Sequence, residues 1–202
     1  MYRELRASKH GEELRWLVNC ETILNKTTGQ IVTRSHLRHP GICVIVPFTD
    51  DDRIVLMRQY RYAANEALWE LPAGTLAGKE GSSEEIARMV ALETPEECAA
   101  RELLEETGYA AAQLEKVCEC YAMPGSSDEL MHVFFARKLQ RQEQALDIGE
   151  VIYEIRGFSR EELEAVISGG EIRDAKTLVG LFFALTRWAA PNQSGLDQKA
   201  KD

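Results

Sequence analysis

The stretch Thr94–Tyr109, reading TPEECAARELLEETGY, constrains this chain more than any other. Thr94 can cap a helix, Pro95 suits its first position, and Glu97 completes a Thr-x-x-Glu capping box. Gly108 is the residue type that stops a helix in a left-handed conformation. The spacing predicts a helix of about three turns between them. Ala99, Ala100, Leu103 and Leu104 supply an apolar side, while Glu102, Glu105 and Glu106 fall at i, i+3 and i+4 on one face. Like charges so placed destabilise a helix by about 0.2–0.5 kcal/mol a pair, and Arg101, four before Glu105, offsets part of that. Spacing alone leaves two readings open. One is a solvated acidic face. The other is a site for a hard cation, because Mg²⁺ takes oxygen ligands from a few carboxylates together with substrate phosphates.

Composition narrows the classes. A chain of 202 residues that is 45% hydrophobic holds one domain with a sizeable core and an appendage. A net charge of −9 argues against binding nucleic acid through a basic surface. No run of apolar residues is long enough to span a membrane, and the opening MYRELRASKHGEELRW is too polar for a signal peptide. Five cysteines, an odd count without framework or zinc-site spacing, point to reduced thiols and a cytoplasmic location. Cys118 and Cys120 fall on the same side of an expected strand.

Residues 12–24 and 30–38 read as two strands about a turn at Lys26–Gly29, an N-terminal antiparallel β-hairpin module over residues 1–39. Two strands are marginal alone, so this module must pack on the core or on a second copy. The unbroken apolar run Gly41–Phe48 predicts a buried strand. Asp50–Asp52 reads as a polar hairpin tip and Ile54–Tyr60 as the returning strand. Arg58 and Arg61 could grip phosphate, since guanidinium matches oxyanion geometry, or make ordinary ion pairs. Pro72 and Gly74, in Trp69-Glu70-Leu71-Pro72-Ala73-Gly74, predict irregular backbone with a carbonyl kept out of any ladder. Ser82 and Glu85 form a second capping box within residues 78–90. Lys116–Ala122 and Leu130–Leu139 read as strands, with His132 as a packed core histidine, and Val151–Ile155 as another. Ser159 and Glu162 open a helix through Leu163, Val166 and Ile167. A last helix presents Leu178, Leu181, Phe182, Leu185 and Trp188 as core, and residues 191–202 form a flexible tail.

Arg101-Glu102-Leu103-Leu104-Glu105-Glu106-Thr107-Gly108-Tyr109 resembles the second half of the Nudix box, Arg-Glu-apolar-x-Glu-Glu-x-Gly-apolar. The earlier Glu of that box matches Glu93 and its opening Gly matches Gly74. Eighteen residues separate the two, thirteen more than the family's interval, which places an insertion near residues 78–90. An alternative pairs Gly74 with Glu80 and puts the insertion after it. The resemblance covers about Gly41 to Trp188. It implies an α/β fold, the Nudix α/β/α sandwich with a mixed sheet, over residues 40–190. Arg58-Gln59-Tyr60-Arg61, and Pro124 fifteen residues after Tyr109, resemble the ADP-ribose pyrophosphatase-like subgroup.

The resemblance also implies a chemistry: Mg²⁺-dependent hydrolysis, with Mn²⁺ as a substitute, of a nucleoside diphosphate linked to another moiety. ADP-ribose giving AMP and ribose 5-phosphate is the leading case. Glu102, Glu106 and the Ala73 carbonyl would hold metal. Glu105, Glu106 and Glu150 would be catalytic, with Glu154 second to Glu150. Arg58, Arg61, Glu70 and Pro124 would bind substrate. Arg101, Glu93, Gly74 and Gly108 would give structural support, and the N-terminal module would build a homodimer. No nucleic-acid or membrane partner is expected. Alternatives are another nucleotide sugar such as GDP-mannose, a dinucleoside polyphosphate, or a nucleotide-sensing domain that binds without cleaving. The intact Glu102, Glu105 and Glu106 argue against the last. The global charge of −9 requires local cations to draw in an anionic substrate.

Overall fold

A computed structural model describes residues 17–76, 93–143 and 151–188. The elements run β1 (Leu17–Leu24), β2 (Ile31–Arg38), β3 (Ile42–Pro47), β4 (Ile54–Arg61), β5 (Glu66–Glu70), β6 (Ala73–Thr75), α1 (Pro95–Thr107), β7 (Tyr109–Tyr121), β8 (Leu130–Arg141), β9 (Ile152–Phe158), α2 (Arg160–Ser168) and α3 (Ala175–Trp188). The expected insertion at 78–90, Glu80, Glu150 and the tail lie outside the described residues.

A mixed four-stranded sheet in the order β6-β3-β8-β7 forms the centre, with β3 and β8 parallel. The antiparallel set β5-β4-β9 makes a second sheet, and β1-β2 a separate hairpin. The apolar run of β3 is buried at every position because both of its faces are covered. Successive side chains of a strand point to opposite faces. Cys43 and Ile45 of β3, with Phe134 and Ala136 of β8, therefore meet Cys98, Ala99 and Leu103 of α1. Val44 and Val46, with Met131, Val133 and Phe135, meet Ile54, Leu56, Phe158, Leu163, Leu181 and Ala184 across the other face. This is the α/β/α sandwich with a mixed sheet that the family resemblance implies.

Details depart from the expectation. Ala73–Thr75 is a short strand, antiparallel to β3, where Pro72 and Gly74 suggested irregular backbone. β7 starts at Tyr109 rather than near Lys116, since its alanine-rich first half is held by pairing with β8. The buried residues of α3 are Thr177, Gly180, Leu181 and Ala184, whereas Phe182 is 62% exposed and Leu178 also faces out. Gly180 explains the shift: a Cβ there would stand 2.4 Å from the Leu71 side chain, so the helix crosses the sheet on its small residues. The Trp188 side chain is outside the described set. His132 is buried as expected, beside Glu119.

The hairpin touches the core through its last residues. Leu37 N–H donates to the Ser126 carbonyl and Asp128 N–H to the Leu37 carbonyl, while Arg38 pairs with Asp128 at 2.9 Å. Val18, Ile23, Leu24 and Ile31 stay exposed on it.

Candidate active site

The capping box forms as its sequence dictates. Glu97 N–H donates to the Thr94 hydroxyl at 3.2 Å, and Thr94 N–H to a Glu97 carboxylate oxygen at 2.7 Å. Gly108, at φ 71°, closes α1 by donating to the Leu104 carbonyl. Cys98, Ala99 and Leu103 seat the helix on the sheet, with Cys98 taking the place expected of Ala100, which is exposed. The Cys43 thiol donates to the Pro95 carbonyl at 3.0 Å and tethers the first turn to β3. Burial and the neighbouring Cys43 thiol, the latter first in weight, push the Cys98 thiol up and keep it protonated.

Once seated, α1 presents two buried carboxylates to β6. Glu106, 2% exposed, accepts from Ala73 N–H at 2.8 Å. Glu102 lies so close to Gly74 that a Cβ there would meet its two carboxylate oxygens at 1.8 and 2.4 Å. Gly74 is needed here for space. Ile45 N–H donates to the Pro72 carbonyl at 2.9 Å, which makes Val44 and Ala73 a non-hydrogen-bonded pair. The Ala73 peptide groups therefore turn away from β3, to the edge where Glu106 sits.

Arg101 organises the acidic face. It grips Glu93 through Nε at 3.0 Å and Nη2 at 2.6 Å. Its Nη1 donates to Glu102 at 2.7 Å and to Glu105 at 2.9 Å. The Glu93 carboxylate, ahead of Glu102 and Glu105, holds the Arg101 pKa above its ordinary value against the opposing effect of burial. The competing reading of a solvated acidic face does not describe Glu102 or Glu106, both of which are buried.

A second ionic cluster stands at the C-terminal end of β5. Arg61 makes a two-pronged pair with Glu70, Nε to Oε1 at 2.7 Å and Nη2 to Oε2 at 2.6 Å. Glu70 has no exposed surface, and Lys176 at the start of α3 also donates to it. Lys176 bonds Asp174 at 2.8 Å, and Asp174 caps α3 by accepting from Thr177 N–H at 2.9 Å. The Thr177 hydroxyl accepts from Leu71 N–H at 2.9 Å. Burial lowers the Arg61 pKa, but Glu70, Glu106 and Asp174 more than compensate and the net shift is upward. Arg61 thus feels the Glu106 carboxylate as well as its own partner. Sequence reasoning did not single out Lys176 or Asp174. Their available signal was the Asp-x-x-Thr capping spacing.

The remaining candidates are more dispersed. Arg58 is exposed on β4, opposite Trp69 on one side and Glu154 of β9 on the other. Pro124 lines a cavity of about 290 Å³ with His36, Tyr121 and Gly125–Asp128, and no residue of the Glu102–Glu106 cluster reaches that lining. The structure does not bring Glu70 to a cleft: both of its oxygens are taken by cations.

The fit of this site to a divalent ion follows from its donors. Among the described residues no three Asp, Glu, His or Cys side chains are grouped so as to hold a metal ion, so they offer no closed ligand shell. A closed shell is not what Mg²⁺ requires, because it keeps several waters and takes one or two carboxylates plus phosphate oxygens. Glu102 and Glu106 converge on the Ala73–Gly74 backbone, and the space that a Cβ at position 74 would fill is taken by carboxylate oxygen. An all-oxygen set of this kind suits a hard cation.

Comparison with known proteins agrees with this geometry. The NUDIX domain family model matches residues 37–179. The chain is 33% identical over 150 residues to an ADP-ribose pyrophosphatase of Bacillus subtilis (strain 168), covering 74% of each. It is 31% identical over 154 residues to a methanol dehydrogenase activator of Bacillus methanolicus, covering 76% of each. It is 28% identical over 163 residues to a GDP-mannose pyrophosphatase of Yersinia enterocolitica serotype O:8 / biotype 1B, covering 79% of this chain and 81% of that one. A crystal structure of an ADP compounds hydrolase shares the fold, with a TM-score of 0.72 at 18% identity over 91% of both chains.

Proposed function

The chain belongs to the Nudix family, and from that premise we propose that it hydrolyses ADP-ribose to AMP and ribose 5-phosphate with Mg²⁺, Mn²⁺ serving as a substitute. The observation that carries this reading is the convergence of two buried carboxylates, Glu102 and Glu106, on the backbone at Ala73 and Gly74. The Ala73 carbonyl, Glu102 and Glu106 would hold the ion. When bound, Mg²⁺ neutralises diphosphate charge and lowers the pKa of a coordinated water.

The chain's own residues divide the remaining work. Arg101 fixes Glu93, Glu102 and Glu105 relative to one another, so the carboxylates meet the substrate already oriented. Glu105 assists as ligand or base, and Glu150 orients or deprotonates the attacking water. Arg61 binds the diphosphate, and Arg58 and Pro124 bind the rest of the substrate. Glu70, enclosed as it is, acts through Arg61. The exposed apolar residues of the β1–β2 hairpin are assigned to a homodimer contact, and the five unpaired cysteines fit a cytoplasmic protein. Among the described residues no helix is long and apolar enough to cross a membrane.

A second reading, GDP-mannose as substrate, is favoured by relatives of that activity at 28–31% identity. Incubation with Mg²⁺ and ADP-ribose, ADP-glucose, GDP-mannose or diadenosine polyphosphates, followed by chromatography, separates these readings. ADP-ribose is expected to show the highest kcat/KM and to yield AMP. A higher value for GDP-mannose would transfer the assignment to it, and no product from any of them would contradict hydrolysis.

A further inference from the structure

We propose that Lys176 is a positioning residue for this reaction, holding the enclosed Glu70 carboxylate so that Glu70 in turn fixes the Arg61 guanidinium for the substrate. The proposal rests on the reading of Arg61 as a diphosphate-binding residue.

Glu70 is fully buried at the end of β5 and receives three charged hydrogen bonds, two from Arg61 and one from Lys176. The two Arg61 bonds set the plane of the guanidinium and occupy Nε and Nη2. Among the described residues Nη1 makes no hydrogen bond, and the Arg61 side chain is 40% exposed. Lys176 is much less exposed than Arg61 and is itself fixed by Asp174, the cap of α3. Thr177 ties the same turn to Leu71, the residue after Glu70. The start of α3 is therefore fastened to the strand end that orients Arg61.

Without Lys176, the carboxylates of Glu70 and Asp174 would face one cation in place of two. Glu129, whose carboxyl is pushed up by burial while Lys176 pulls it down, adds a third acid nearby. A buried carboxylate short of a partner either draws its remaining cation inward or rearranges, and either response moves Arg61. Lys176 commits two of its three N–H donors to Glu70 and Asp174 and is only 15% exposed, so its proposed effect on the substrate runs through Glu70 and Arg61.

The test is a double-mutant cycle read as KM for ADP-ribose, kcat, and Kd for its α,β-methylene analogue. Lys176→Met is expected to raise KM and Kd about ten-fold with kcat little changed, the size of one lost charged hydrogen bond. Lys176→Arg should restore most of the loss by keeping the cation. In an Arg61→Ala background, Lys176→Met should add nothing further. If Lys176→Met fails to fold, Asp174→Asn keeps a capping residue while loosening Lys176, and should raise KM in the same direction. Additive losses in the cycle would mean that Lys176 meets the substrate itself and would overturn the proposal. Unchanged binding in Lys176→Met, with Arg61→Ala defective, would overturn it while leaving the Arg61 reading intact. Unchanged binding in Arg61→Ala would remove that reading and the proposal together.

Discussion

Helices α1 and α2 begin in the same way and end up doing different things. Each opens with a hydroxyl cap whose box is closed by a Glu at the third helical position, Thr94 with Glu97 and Ser159 with Glu162. Each then carries further glutamates. In α2 these stay at the surface, where Glu162 pairs with Arg53 at 2.9 Å and with Arg156, and Leu163 alone is fully buried. In α1, Glu102 and Glu106 are pressed against a three-residue strand and Arg101 braces the face beside them. The local sequence code starts both helices. What the helix faces decides whether its carboxylates are solvated or form a site.

The largest expected effect tests that contrast directly. Glu106→Gln should lower kcat by about 10²-fold or more with the fold retained, whereas Glu162→Gln should leave steady-state turnover unchanged. Near-normal turnover in Glu106→Gln would erase the distinction between the two helices. Next comes Gly74→Ala. Its new methyl would displace the Glu102 carboxylate, and a misplacement of this kind costs about 10²-fold in kcat/KM. Circular dichroism and melting of the same variant would show whether the loss is local.

Much of this was legible in the chain. The capping boxes at Thr94 and Ser159, the αL glycine at 108 and the apolar run of β3 are local signals, and their elements form where expected. The acidic face of α1 was equally visible, but its burial was not, because it depends on β6. That strand is too short and too punctuated by Pro72 and Gly74 to announce itself, and pairing with β3 creates it. Tyr109–Lys116 was hidden for a related reason: alanines have little strand preference, and Ala110 and Ala111 are held by β8. Arg61 could have been an ion pair or a phosphate grip on spacing alone. The structure shows the ion pair with Glu70, and the partly exposed side chain leaves the other role open. The Asp174-x-x-Thr177 spacing marks the cap beside Lys176 but not Lys176's own role, which comes from a carboxylate 106 positions away.

Smaller effects sharpen the comparison. Thr94→Ala and Ser159→Ala each remove one hydroxyl cap and should cost about 1 kcal/mol in denaturant unfolding. Only the first should also depress activity, because α1, and not α2, carries the carboxylates proposed to hold the ion. The smallest effect is a pH dependence the helices share. The backbone N–H groups of Thr94 and Ser159 hold the Glu97 and Glu162 carboxyls below their ordinary 4.5. Folding therefore favours the ionised forms, so this stabilisation is complete above that value and is lost as the pH falls through the folded pKa. Carboxyl resonances followed by NMR should titrate below 4.5 at both positions. Titration at or above 4.5 at either one would show that its box is open in solution.

The central claim is that the ion which drives hydrolysis sits between α1 and β6. Crystals soaked in Mn²⁺ with α,β-methylene ADP-ribose, measured for anomalous scattering, test it most directly. The account predicts a peak bound by Glu102, Glu106 and the Ala73 carbonyl and facing the diphosphate. A diphosphate seated elsewhere, with manganese absent from those oxygens, would contradict it.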